Sequence, residues 1–232
     1  MAKRLVLLGM LAALVSPLWA GDVATFVNLG FSEDSRYFMF AQYGVLEKGS
    51  APYAELYVVD VPKNVFVSQG ARKVTYTRNI EPGSSGQGAL LNLVEDAQSL
   101  KKQFRIDHLL TGRLLYLLVD GGAATDTIEF RDFIRGSTYR VTLQQDVSSK
   151  NGQYSSSFHV QVGITEKDGS ARSLDVGNPG YQREGVKGYR IKQILLAPNG
   201  KSLVFVIQRE EQDTKGSNIR YMVETVSLSD PT

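Results

Sequence analysis

Two stretches of this chain carry the same pattern at a constant offset, and this limits the fold more than any other feature. Phe31 to Val61 reads FSEDSRYFMFAQYGVLEKGSAPYAELYVVDV, and Leu196 to Val226 reads LAPNGKSLVFVIQREEQDTKGSNIRYMVETV. Laid over each other, Phe31 falls on Leu196, Asp34 on Asn199, Ser35 on Gly200, Phe40 on Phe205 and Val61 on Val226, without a gap. Each copy has a polar turn followed by apolar residues at alternate positions, in β-branched and aromatic company. That spacing predicts strand, turn, strand, loop and strand. A repeated β unit argues for stacked or radially arranged sheets. The turn residues Asp34 and Asn199 can bond the backbone nearby and stop the preceding strand.

A weaker third copy is expected between them, with Thr111-Gly112-Arg113 as its turn and Leu114 to Val119 as its strand. Ile106 to Leu110 and Leu114 to Val119 would then form a central hairpin. Further strand pairs are expected at Thr127 to Phe133 with Thr138 to Val147, and at Phe158 to Ile164 with Ala171 to Val176. Gly177 to Gly188 reads as a long loop. One helix is expected over Ala89 to Phe104. There Leu90, Leu93, Val94, Ala97, Leu100 and Phe104 share a face at three- and four-residue spacing, the stripe of a helix covering a sheet. The reading is a mainly β protein with one helix near 89–104. Its antiparallel sheets would form a few-bladed, propeller-like arrangement or a sandwich. The expected repeats lie at about 24–61, 106–147 and 189–228, within one all-β domain over 21–232.

Residues 1–20 read as a secretory signal peptide. Lys3 and Arg4 precede the apolar run Leu5 to Val15, and Ser16-Pro17-Leu18-Trp19-Ala20 ends it with small residues and a helix breaker. The run is shorter than the ~20 residues a spanning helix needs, so cleavage after Ala20 is expected and no stable membrane span remains. An uncleaved anchor is the alternative. The chain has no cysteine, which removes disulfides and favours a bacterial periplasm or exterior over a disulfide-stapled secreted fold. Taking Lys3 and Arg4 from the 26 Lys and Arg leaves basic residues equal in number to the 24 acidic ones. That balance gives no argument for nucleic acid, for an anionic membrane or for an acidic partner.

The strand-turn-strand motifs FSEDSRYFMF and LAPNGKSLVFVI resemble those of TolB-type β-propellers, which usually read Phe-Ser-Pro-Asp-Gly-Lys or Arg. Glu33 and Ser35 depart from that pattern in the first copy, Ala197 and Asn199 in the last. The chain also resembles a spirochaete-type family of predicted secreted bacterial proteins of unknown function. The start FSEDSRYF, the helix followed by RIDHLLTGR and the ending RYMVET carry that likeness. It implies secretion and no particular activity.

No catalytic, cofactor-binding or metal-binding residue is assigned. His108 follows Asp107 and could be an oriented base, and it also suits a strand histidine at the helix-to-sheet junction. His159 falls on the polar face of its strand. Two isolated histidines without cysteine make a poor zinc set. Asp120 with Asp126, and Glu210, Glu211 and Asp213, lack calcium-loop spacing. Gly83-Ser84-Ser85-Gly86 has no nucleophile context. Tyr37, Tyr43, Tyr53, Tyr57, Tyr181, Tyr189 and Tyr221 gather in or beside the strong repeats, where exposed rings would suit protein or glycan binding and buried ones would pack against sheet neighbours. The expected function is a non-catalytic protein- or glycan-binding scaffold of the bacterial envelope, without a cofactor. The alternative is an envelope hydrolase using paired carboxylates.

Overall fold

Alternating apolar residues bury one face of a strand, and strands apolar at every position must be covered on both faces. The computed structural model, which describes residues 21–47, 50–81, 83–213 and 216–228, meets both demands with three antiparallel sheets. The expected signal peptide and the last four residues lie outside the described residues.

The N-terminal sheet begins with β1 (Thr25–Ser32), β2 (Tyr37–Val45), β3 (Pro52–Asp60) and β4 (Val65–Thr75). Next come the helices α1 (Gln87–Asp96) and α2 (Gln98–Gln103), then the short strands β5 (Ile106–Asp107) and β6 (Arg113–Leu117). The middle sheet is built from β7 (Thr127–Asp132), β8 (Ser137–Lys150), β9 (Gln153–Thr165) and β10 (Ala171–Gly177), with β11 (Arg183–Glu184) against β9. The chain closes with β12 (Val186–Leu196), β13 (Ser202–Gln212) and β14 (Ser217–Ser227). Spatial orders are β4-β3-β2-β1-β5, β10-β9-β8-β7 and β14-β13-β12-β6.

The C-terminal sheet lies between the other two. Its Phe205, Leu203, Ile194 and Ile207 pack on Val160, Val162, Phe158 and Tyr139 of the middle sheet. Its opposite face, with Val204, Val206 and Val223, packs on Phe31, Phe38 and Phe40. Met39, Ala41, Leu56 and Val58, on the far face of the N-terminal sheet, are covered by Leu90, Leu93, Ala97 and Leu100 of the helices. The order is helix, sheet, sheet, sheet, a layered β-sandwich rather than a ring of blades.

Phe31 to Val61 and Leu196 to Val226 each begin with a hairpin. Phe31 faces Phe38 across the first, and Leu196 faces Leu203 across the second. Both turns close alike. Asp34 Oδ1 accepts from Arg36 N at 3.0 Å, and Asn199 Oδ1 accepts from Lys201 N at 2.9 Å. At the next position Gly200 and Ser35 both take the left-handed conformation, with φ of 70° and 59°. Ser35 bears that strain because its buried Oγ accepts from Asn199 N, joining one turn to the other. The following hairpins differ by two residues: Phe38 faces Val59, whereas Leu203 faces Val226. A slip of two preserves which side chains face the core, so Phe40 and Phe205 are both fully buried.

Three expectations need correction. No central hairpin forms, because β5 pairs with β1 and β6 with β12. Each completes the open edge of a different sheet and so satisfies backbone groups a mutual pairing would have left bare. The single helix is two, since Ala97 has ψ of 10° instead of about −42°. Its N–H still bonds Leu93 O, so the buried stripe is kept. The segment after Gly177 is not all loop, because β11 pairs with β9 and β12 starts at Val186.

The ends of the described chain meet. Asp22 forms a two-pronged ion pair with Arg220 on β14, at 2.8 and 2.6 Å, and accepts from the Tyr53 hydroxyl at 2.8 Å. Arg220 also lies 4.8 Å from the centre of the Tyr53 ring. Removing one partner of such a buried pair strands the other charge, which costs about 3–5 kcal/mol. Asp22→Ala is therefore expected to lower unfolding free energy by about that amount, read from urea titration. Phe40→Ala and Phe205→Ala are each expected to cost about 3–5 kcal/mol in the same assay, the range for deleting a buried Phe.

Candidate functional site

The long hairpin β8–β9 overhangs the sheet that carries it. From Gln144 to Lys150 every β8 residue is exposed, so this tip covers little core and is free for other use. Gln212 at the end of β13 fixes its position: its Oε1 accepts from Tyr154 N at 3.3 Å, and its Nε2 donates to Gly152 O at 2.6 Å. Gly185 ties β11 alongside, donating to Tyr154 O at 2.8 Å and accepting from Gln212 N at 2.6 Å. Between these elements lies an open groove of about 800 Å³.

Its lining is mostly neutral and hydrogen-bonding. Ser148 and Ser155 supply hydroxyls, Asn151, Gln153 and Gln212 amides, and Tyr154 an aromatic ring. Lys187 Nζ stands 5.8 Å from the centre of that ring. Ser155 Oγ donates to Gln182 Oε1 at 3.1 Å, which orders one wall. Asn151 and Gln153 make no side-chain hydrogen bond among the described residues and are exposed. Two carboxylates, Glu184 and Asp213, also line the groove. Glu184 is exposed and Asp213 half-buried.

Beside the groove, Arg183 lies within cation–π distance of three rings: 4.8 Å from Tyr181, 5.1 Å from Phe158 and 5.9 Å from Tyr189. One of its terminal nitrogens, Nη1, is buried without a hydrogen-bond partner, and the rings supply the attraction it lacks. Tyr181 is 58% exposed and extends this aromatic edge into solvent. Behind Arg183, Glu224 sits 3.8 Å away and accepts from Asn64 Nδ2 at 2.5 Å. Burial pushes the Glu224 carboxyl above its ordinary value, and Asn64 and Arg183 oppose that only in part.

The residues singled out from sequence scatter. His108 Nδ1 donates to Leu29 O at 2.6 Å, where β1 bulges between Asn28 and Gly30. It is a fastener between β1 and the segment after β5. His159, on the outer face of β9, is half-buried opposite Gln144. Asp120 pairs with Lys192, Glu210 with Lys187 and Glu211 with Arg209. Ser85 Oγ accepts from Gln87 N at the start of α1. Tyr53, Tyr189 and Tyr221 are buried, whereas Tyr181 is exposed. Of these residues only Asp213 reaches the groove. Tyr154, Gln153 and Gln212 went unmarked in the sequence. The one available signal was the length of β8, which runs exposed well past its core-facing residues.

Glu224, beside the groove, gives the fold a pH signature. The folded chain holds this proton more tightly than the unfolded chain. Its contribution to stability therefore falls as pH rises above the ordinary 4.5 until the folded carboxyl has ionised. Glu224→Gln is expected to abolish that segment of the profile. Unfolding free energy measured against pH in both proteins checks it: the curves should separate upward from about pH 4.5.

A family model described as predicted secreted protein (DUF2259) matches residues 39–227. No curated protein and no solved structure matches the chain.

Proposed function

We propose, on the premise that the chain belongs to this DUF2259 family of predicted secreted proteins, that it is a non-catalytic, glycan-binding scaffold of the bacterial envelope. The groove beneath the β8–β9 tip carries the proposal. A sugar offers hydroxyls that both donate and accept, together with apolar C–H faces. Amides, hydroxyls and one tyrosine ring in an open trough answer both needs, and openness suits a polymer that enters from the side. The unengaged Asn151 and Gln153 would read hydroxyls, while Tyr154 would pack on a ring face.

The carboxylates argue for binding over hydrolysis. Glycoside cleavage needs an acid held protonated by burial, facing a second carboxylate. Glu224 is the carboxyl raised by burial, and it is tied to Asn64 and Arg183 outside the groove lining. Glu184, which does line the groove, is exposed. Export places such a binder where envelope polymers are found, and a cysteine-free fold needs no oxidative help there.

The test is co-sedimentation with purified peptidoglycan sacculi. Wild-type protein is expected in the pellet. Tyr154→Ala is expected to weaken retention about tenfold, the usual effect of truncating an aromatic anchor, with an unchanged melting temperature because its backbone bonds to Gln212 and Gly185 remain. Protein left wholly in the supernatant, or a Tyr154→Ala variant that sediments like wild type, removes this reading.

A further inference from the structure

The opposite end of the molecule carries a second surface. Turns from all three sheets meet there. Asn199 bonds Ser35 and Asp34, and Arg135 Nη2 donates to Gly200 O at 2.5 Å. Lys167 lies against Gly136. The β7–β8 turn at this end is held rigidly. Asp132, whose side chain is fully buried, takes a two-pronged ion pair from Arg113 at 2.7 and 2.6 Å and accepts from Ile134 N and Arg135 N. What this anchored turn presents is apolar: Phe133 is 85% and Ile134 78% exposed. Two adjacent large hydrophobic side chains held out by this anchored turn contribute nothing to the core. Their exposure costs solvation, and the bonds of Asp132 hold the turn that presents them.

Cations lie at the same end. Lys101, Lys102 and Arg105 line a depression that continues past Glu33. Lys201 and Lys63 border another, beyond Arg36. Lys101, Lys102, Arg105 and Lys201 have no ion-pair partner among the described residues. Arg105 holds a left-handed φ of 51° just past the end of α2, a position where glycine would be less strained. Arg131 stands 5.7 Å from the Phe133 ring centre. Glu33 and Asp107 also line the first depression and Asp34 and Asp60 the second, so each sets three cations against two carboxylates, a local excess that the even balance of the whole chain conceals.

We propose that this end docks on an anionic lipid bilayer, with Phe133 and Ile134 entering the headgroup boundary and the lysines and arginines facing lipid phosphates. A protruding apolar pair with basic neighbours is the two-signal combination that gives reversible membrane attachment, since neither signal alone holds a protein well. No helix among the described residues is long and apolar enough to cross a membrane, so attachment would be peripheral. It would point the groove away from the bilayer, because β8 starts at this end and finishes at the groove.

Vesicle flotation tests it, using the protein recovered after export. Vesicles of phosphatidylcholine with phosphatidylglycerol are expected to carry the protein upward, and vesicles of phosphatidylcholine alone to carry far less. Phe133→Ser with Ile134→Ser is expected to lower the bound fraction about tenfold, with unchanged melting because both side chains are solvent-exposed. Lys101→Gln with Lys102→Gln is expected to do the same at low salt. No flotation with either vesicle overturns the proposal. So does flotation unaffected by the Phe133/Ile134 change. If those variants instead abolish capture of a protein from a lipid-free envelope extract while vesicles bind nothing, the surface is a protein interface and the proposal fails.

Discussion

Strand β13 is buried over its whole first half, Ser202 to Ile207, and the rest of the fold serves to cover it. Leu203, Phe205 and Ile207 point one way, Val204 and Val206 the other. A strand apolar on both faces cannot stop at a two-layer sandwich with one side wet. The C-terminal sheet therefore recruits the N-terminal sheet on one face and the middle sheet on the other. The N-terminal sheet then has its own apolar far face, Met39, Leu56 and Val58, which the two helices close. The polar outer face of the middle sheet ends the series, with Gln144 and Gln161 hydrogen-bonded across it.

Charge acts on this stack as a set of fasteners. Asp22 with Arg220 fixes the beginning of the described chain to β14, and Arg113 with Asp132 fixes β6 to the β7–β8 turn. The buried Gln42 joins two layers, its Oε1 accepting from Tyr221 N at 2.7 Å and its Nε2 donating to Glu55 at 2.7 Å. Ion pairs of this kind add little net stability over apolar replacements, but breaking one is costly. Each ties one element to another across the stack.

The two surfaces proposed for function lie at opposite ends of β8, a strand of 14 residues spanning roughly 45 Å. One end is a rigid turn presenting Phe133 and Ile134. The other is an overhanging hairpin presenting hydroxyls, amides and Tyr154. The exposed part of β8 is paired with β9 through Lys150 facing Gln153 and is tied to its neighbours by Gln145 bonding Tyr189 and Gln212 bonding Gly152 and Tyr154. Such a tip holds its shape without contributing core.

The sequence by itself determined the local units. Alternation marked nearly all the long strands, the three- and four-residue stripe marked the helical region, and Asp34 and Asn199 marked two turns that close alike. These are short-range consequences of side-chain period and turn chemistry, legible from neighbours along the chain. The break at Ala97 carried no Pro, Gly or capping residue to announce it. Only the tertiary structure decided that β5 and β6 part to finish different sheets, since edge completion depends on which edges are open in space. It also decided that the C-terminal sheet lies in the centre, because residues buried on both faces look alike in sequence whichever sheet covers them. The groove and the basic end were hidden for the same reason. Tyr154, Glu184 and Gln212 come from separate strands, as do Arg36, Lys101 and Phe133 from separate segments. Such surfaces exist only once distant turns are brought together, and no spacing along the chain records them.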